Sequence, residues 1–518
     1  MSKTASPALY ELIHSLTKSE KRYFKIYASR HTIGEVNNGI RIFDFIDQQS
    51  NFDEEELRAY FKGEAFLNQF PITKNRLYEQ ILNALDAFHI KSDIEAQINQ
   101  TLHSARILYS KSLYDHAEKA LAKAKKQAIK NEKSTLLLQI LDVEKKVIET
   151  RGYARSSKNK ILKSQNNSSL LIQQHAFGNK LWHLKAQLFI LLNQKGQARS
   201  DEMLAQYQDI YKTYKEIEIP HSLSFYHQYL QFHFESAYHF AIAQHGKCLK
   251  YLRLNILHFK ENPNKITKFA NEYFSILTNT IHILSKSQST KEMVSYLNEL
   301  KGLAHQLKSA KNEDLKIKLF SSINSIELKM LNHQAKFEHA IQLVSTIEAG
   351  LIKYDEELTP ARKAYLAFNI AIAYFGVNEF NKSLKWINMI LNNKCLDQKE
   401  DIVSFAHLVN LIIHFELKNN ELLPYAIKNT KRFLSKRKRT YTFETVFLQY
   451  ISKINQANDK YEIELYLSKI ETELLTLKND PYESIAFDYF DFHIWLKSKV
   501  KNKSFQLIKR EEFLKATA

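Results

Sequence analysis

Leu9, Leu12, Ile13 and Leu16 have the three- and four-residue spacing of one helix face. Thr17-Lys-Ser-Glu20 then reads as a capping box, in which Thr17 accepts from a backbone N–H and Glu20 bonds back. Behind it, Tyr23, Phe24, Ile26 and Tyr27 predict a second amphipathic helix, and 31–39 reads as a loop. Ile40–Asp47 is a third apolar stretch. Asp53 heads a fourth helix, whose Glu54-Glu55-Glu56 suits the positive end of a helix dipole. Pro71 opens a long helix through Leu77, Ile81, Leu85 and Phe88. Further on, prolines sit at helix starts. Thr359-Pro360 and Asp480-Pro481 each place a capping residue before a proline whose missing N–H costs nothing there. Pro220 and Pro263 separate other helical stretches.

From about residue 95 one pattern recurs. An apolar residue is followed six positions later by a bulky or mixed one, three later by a small one and seven later by an apolar one. The instances are Leu108/Tyr114/Ala117/Ala124, Leu284/Thr290/Met293/Leu300, Leu331/Phe337/Ala340/Ile347 and Tyr374/Phe380/Ser383/Ile390. The first position closes one helix and the second starts the next. The small third position lets two antiparallel helices approach, and the fourth lies two turns further along the same face. The spacing of the anchors predicts hairpins repeating about every 44 residues. Residues 134–260 match the pattern poorly.

Segments such as Ala371-Ile-Ala-Tyr-Phe-Gly-Val-Asn-Glu-Phe-Asn-Lys-Ser383 and Ala105-Arg-Ile-Leu-Tyr-Ser-Lys-Ser-Leu-Tyr-Asp-His-Ala117 resemble tetratricopeptide repeats. Ala105 and Ala371 match that family's small position. Tyr114, Phe337 and Phe380 match its aromatic, and Ala117, Ala340 and Ser383 its alanine. The period departs from the family's shorter repeat. The whole chain, including Leu16-Thr-Lys-Ser-Glu-Lys-Arg-Tyr-Phe-Lys25, also resembles uncharacterised bacterial proteins of this length, which implies no activity. The expected fold is therefore all-α. A small N-terminal helical domain, 1–92, precedes a right-handed α-solenoid of antiparallel helix hairpins, 93–518.

Composition agrees with that expectation. Ten glycines and seven prolines in 518 residues are too few for a dinucleotide-binding fold, or for a sandwich turning every few residues. Two cysteines, Cys248 and Cys395, cannot build a disulfide framework. No long apolar run and no apolar signal core occur, so a cytoplasmic location without membrane insertion is expected.

Candidate chemistry is sparse. No glycine-rich phosphate loop and no Gly-x-Ser-x-Gly elbow is present, and His245-x-x-Cys248 is a lone half-site. His221, His227, His233, His239 and His245 recur every six residues. Six helical residues turn about 600°, so only every third histidine shares a face, about 27 Å away, which cannot close on a metal. No catalytic residue, metal or cofactor is expected.

The net charge of +18 favours a polyanionic partner, or reflects lysine on every solvated face. Its densest cluster is Lys431, Arg432, Lys436, Arg437, Lys438 and Arg439, which would equally complement a helix C-terminus. The helix after Thr359-Pro360 is apolar all round and must be covered. On it, Tyr365, Phe368, Ile372 and Phe375 share a stripe. The resemblance places that side of a first repeat helix in the concave groove, making these four the candidate partner-binding residues, with burial between repeats as the alternative. The functional expectation is a non-catalytic adaptor binding a protein or peptide in its groove. The alternative is an RNA-, DNA- or ribosome-associated protein using its basic surface. Oligomeric state is left open.

Overall fold

A computed structural model describes residues 7–30, 37–154, 156–198, 200–286, 290–307, 312–396, 401–436, 441–457, 459–478, 480, 483, 486–487 and 489–517. Among them the chain is all-α, without a β-strand. It divides into two compact units, Met1–His175 and Ala176–Ala518. The division falls inside a helix, whereas the sequence placed a domain break after residue 92.

The first unit begins with α1 (Ala8–Ser15), α2 (Lys18–Ser29), α3 (Asn38–Gln48), α4 (Glu54–Tyr60) and α5 (Phe70–His89). Local signals position their ends. Thr17 and Glu20 form the capping box of α2, and Asp53 accepts from the N–H groups of Glu55 and Glu56. Glu20 also bonds His89 at the end of α5, 2.6 Å away, tying a cap to a distant helix. The five helices share a core that includes Ile13, Phe24, Phe43, Phe70 and Ile81. A separate core joins α6 (Ile94–Ser110), α7 (Tyr114–Lys130) and α8 (Ser134–Thr150). Helix α9 (Lys158–Lys195) runs through the division. The loop expected at 31–39 lies mostly outside the described residues, and Asn37 caps α3.

The second unit continues with α10 (Asp201–Lys215), α11 (Phe225–Ala241), α12 (His245–Lys260), α13 (Ala270–Lys286), α14 (Thr290–Gln306), α15 (Glu313–His333), α16 (Phe337–Gln342) and α17 (Val344–Lys353). Then follow α18 (Pro360–Gly376), α19 (Phe380–Leu391), α20 (Asp401–Glu416), α21 (Leu423–Lys436), α22 (Thr442–Gln456), α23 (Lys460–Lys478), α24 (Phe492–Val500) and α25 (Phe505–Thr517). Each helix from α11 to α16, and from α18 to α25, packs on its sequence neighbour. The second helices of successive hairpins start at 245, 290, 337, 380 and 423, spacings of 45, 47, 43 and 43 residues. This is the helical-repeat period expected from the sequence. It is interrupted upstream by α9, one helix of 38 residues where hairpins would otherwise alternate.

Backbone hydrogen bonds explain the recurring pattern. The carbonyls of Leu108, Leu331 and Tyr374, each the first position of an instance, accept from the N–H five residues later at 2.9 Å. This is the six-to-one bond of a Schellman turn, and it places one residue in the left-handed region. Ser112, Ala335 and Asn378 occupy it, with φ of 61°, 55° and 64°, each two residues before the next helix. The third positions Ala117, Ala340 and Ser383 are completely buried, so only a small side chain fits between the two helices. The same turn joins α11 to α12, with Gln244 donating to the His239 carbonyl and Ala243 at φ 57°. Its pattern positions are His239, His245, Cys248 and Asn255. Because three of these are polar, an apolar search passes over the hairpin.

Helix α18 is covered over most of its surface, as its composition required. α18 packs on α15, α16, α19 and α20, and its buried residues run almost continuously from Ala364 to Gly376. Thr359 caps it, accepting from the N–H of Arg362. The helix expected after Asp480-Pro481 falls mostly outside the described residues. There the Glu483 N–H donates to Asp480, while the Glu483 carboxylate accepts from the first N–H groups of α22 at 3.0 and 2.9 Å. No described helix is long and apolar enough to cross a membrane.

Candidate functional site

The first helices of the hairpins stand side by side in the second unit: α13 contacts α15, α15 contacts α18, and α18 contacts α20. Together with α9 and α11 they form the main wall of a groove of about 1640 Å³. That exceeds the roughly 300–1,000 Å³ of a small-molecule pocket. The α9 side supplies Phe189 and Ile190, which are 42% and 57% exposed although they belong to a packed helix. On α11, His233 lies parallel to Phe189 with centroids 5.8 Å apart. It is almost wholly buried, and its Nδ1 has no hydrogen-bond partner. Burial, with Lys185 nearby, pushes it down to about 3, so it is a neutral imidazole at neutral pH. Burial also lowers His333 on α15.

Polar groups along the groove are mostly uncharged. Asn193, Gln194, Asn279 and Gln334 contribute amides, and Ser236, Thr278 and Ser325 hydroxyls. Among the described lining residues only Lys329 and Asp401 carry a formal charge. Asn332 donates to the Asn369 carbonyl at 2.8 Å, and Asn369 donates to the Tyr365 carbonyl at 2.8 Å, which ties α15 to α18 beneath the floor. No group of three or more His, Cys, Asp or Glu that could hold a metal occurs among the described residues.

The four candidates on α18 separate. Tyr365, 37% exposed, and Phe368, 2% exposed, line the groove beside Tyr489. The Tyr365 and Tyr489 hydroxyls are 3.3 Å apart, and Tyr489 stacks on Phe405 at 4.4 Å. Ile372 is buried outside the lining. Phe375 is enclosed by Phe380, Phe490 and Phe505, with centroids 5.2 to 5.4 Å away, and belongs to the core. In the basic cluster, Lys431, Arg432 and Lys436 are exposed on the C-terminal half of α21, and Lys436 stands in its last turn, a position that suits a helix C-terminus. Arg437, Lys438 and Arg439 lie outside the described residues.

Of the histidine series, His227, His233 and His239 are buried on α11 and His245 opens α12. The sequence did not pick out the α9, α11 and α13 contributions to the groove. The available signal was α9 itself, whose 38 residues hold six lysines and no acid while bulky apolar residues occupy its solvent side.

No family model matches the chain, and no curated protein matches it. Among solved structures, the chain is similar to the crystal structure of the apo form of RapI, with 10% identity, a TM-score of 0.41, and coverage of 81% of this chain and 99% of that one.

Proposed function

We propose that the protein is a non-catalytic adaptor whose second unit binds an uncharged peptide segment of a partner protein along the row of first helices. One observation carries this reading: in a chain of net charge +18, the groove along the first helices has only one lysine and one aspartate among its described lining residues. A site for nucleic acid draws most of its affinity from cations facing phosphates. This groove instead offers exposed apolar side chains, a neutral histidine and several amides. An amide side chain both donates and accepts, as does the peptide backbone it would meet. The resemblance of the hairpins to tetratricopeptide repeats supports the same reading, because in that family the first helices line the ligand groove. Tyr365 and Phe368 keep their candidate roles as contacts, with Phe189, Ile190 and His233 added from α9 and α11.

Selection of random peptides on the full-length protein tests this. Enriched sequences should be apolar or uncharged, and they should bind with little dependence on salt. They should lose affinity when Ile190→Glu or Tyr365→Glu introduces a charge into the groove. Enrichment of acidic sequences that still bind both variants would overturn the assignment, as would no enrichment at all.

A further inference from the structure

Helix α21 turns a basic side to solvent. Its inner side is Leu423, Ile427, Thr430 and Leu434, all buried. Directly opposite, Tyr425, Lys428, Arg432 and Lys436 follow one another at spacings of three and four residues, within about 80° around the axis and about 16 Å along it. Lys431 stands beside Arg432. All five side chains are exposed, Tyr425 at 70%.

The charge on this side is not matched within the protein. Helix α21 contains no Asp or Glu, and none of its four cations makes an ion pair with a described residue. Lysines of the C-terminal stretch behave differently, since Lys497, Lys499, Lys503 and Lys509 pair with Glu512, Glu416, Glu511 and Asp491. The helix dipole does not account for the row either. Its field fades within the last turn, which holds Lys436, whereas Lys428 lies about two turns further back. The ring is an independent observation. Tyr425 lies in line with the cations, one turn before Lys428, and its side chain makes no hydrogen bond or ring contact with a described residue. Helix α21 does not line the peptide groove, so its ligand is separate from the occupant of that groove.

We propose that this side of α21 binds single-stranded nucleic acid, with phosphates against Lys428, Lys431, Arg432 and Lys436 and an unpaired base stacked on Tyr425. A single strand presents both groups at once, phosphates for the cations and a free base face for the ring. In a duplex the bases stack on one another and leave no face for the tyrosine. An acidic protein segment matches the charge but gives the ring no role. A lipid surface calls for a broad apolar face, and beside Tyr425 the helix exposes no other large apolar side chain.

The probe is a fluorescent oligouridylate of about ten nucleotides, titrated into the full-length protein and followed by anisotropy. Its affinity should fall with salt at a log–log slope of about −3, the counterion release of about four single-strand phosphates. Lys428→Met and Arg432→Met should each bring that slope about 0.7 closer to zero. Tyr425→Ala should weaken binding roughly tenfold, while Tyr425→Phe, which keeps the ring, should bind as the wild type does. The three positions are exposed, so the variants should keep the wild-type melting temperature. Lys123→Met with Lys126→Met, on the exposed side of α7, should leave the affinity unchanged and so controls for overall charge. Absence of binding, or an equal loss from the α7 pair and from Lys428→Met with Arg432→Met, would overturn the site. Binding that Tyr425→Ala does not weaken, and that polyglutamate displaces as well as unlabelled oligouridylate does, would overturn nucleic acid as the ligand and assign the row to an acidic protein.

Discussion

Replacing Gly376 with alanine adds one methyl group where the array has no room for it. Gly376 ends α18, and a Cβ there would stand 2.3, 2.4 and 2.5 Å from three ring carbons of Phe337. Phe337 opens α16, is fully buried, and has Phe505 behind it with centroids 6.0 Å apart. The ring therefore cannot swing aside without moving a second aromatic. Overpacking of this kind costs about 1–3 kcal/mol, and approaches this short belong at the upper end. Against that, alanine is favoured over glycine in a helix by about 1 kcal/mol. The net expectation is a loss of about 2 kcal/mol. Gly302, inside α14, supplies the control, because nothing lies within 4 Å of its added Cβ. Gly302→Ala should stabilise by about 0.5–1 kcal/mol. The two substitutions are chemically identical and differ only in what the methyl group meets, so their urea midpoints, followed by circular dichroism, should move in opposite directions. Gly376→Ala with Phe337→Leu should lose less than the sum of the single changes. A Gly376→Ala midpoint equal to or above wild type would refute the close packing of successive hairpins argued here.

Phe375→Glu should cost several kcal/mol and lower the melting temperature sharply, whereas Tyr365→Glu, on the groove side of the same helix, should leave it nearly unchanged; equal melting temperatures would contradict the division of α18 into groove and core faces. Thr359→Ala removes the cap of α18 and should cost about 1 kcal/mol, read as a shift of the denaturation midpoint, and no shift would deny the cap its role. Burial pushes His407 and His493 down to about 4 and His233 to about 3. Their folded values lie below the unfolded value, so the unfolded chain takes up protons first. The stability concerned is present above about pH 6.5 and is lost as pH falls from there toward about 4, at about 1.4 kcal/mol per unit for each histidine. Denaturation midpoints at pH 7.5, 6 and 5 should fall in that order, less steeply for His407→Gln, and a flat profile would refute it.

The hairpins were legible because their signals are local. The hairpin needs a carbonyl five residues before its donor, one left-handed residue, and a small side chain five residues after that one, all within about twenty positions of chain. Serine, alanine and asparagine fill the left-handed position here, which is how a chain with ten glycines turns so often. The caps at Thr17, Asp53 and Thr359 were legible for the same reason, since each cap lies within three residues of the group it bonds. That most of α18 is covered also followed from its composition. Which of its stripes meets a neighbour and which lines the groove was decided elsewhere, by where α15, α16 and α20 stand. Tyr365 and Phe375 are ten residues apart, about 80° around the helix and about 15 Å along it, enough to send one to the groove and the other among Phe490 and Phe505. The groove itself draws on α9, α11, α13, α15 and α18, elements some 40 residues apart in sequence, and no local window contains two of its walls. Periodicity reports which side of a helix is apolar, but only packing determines what that side touches.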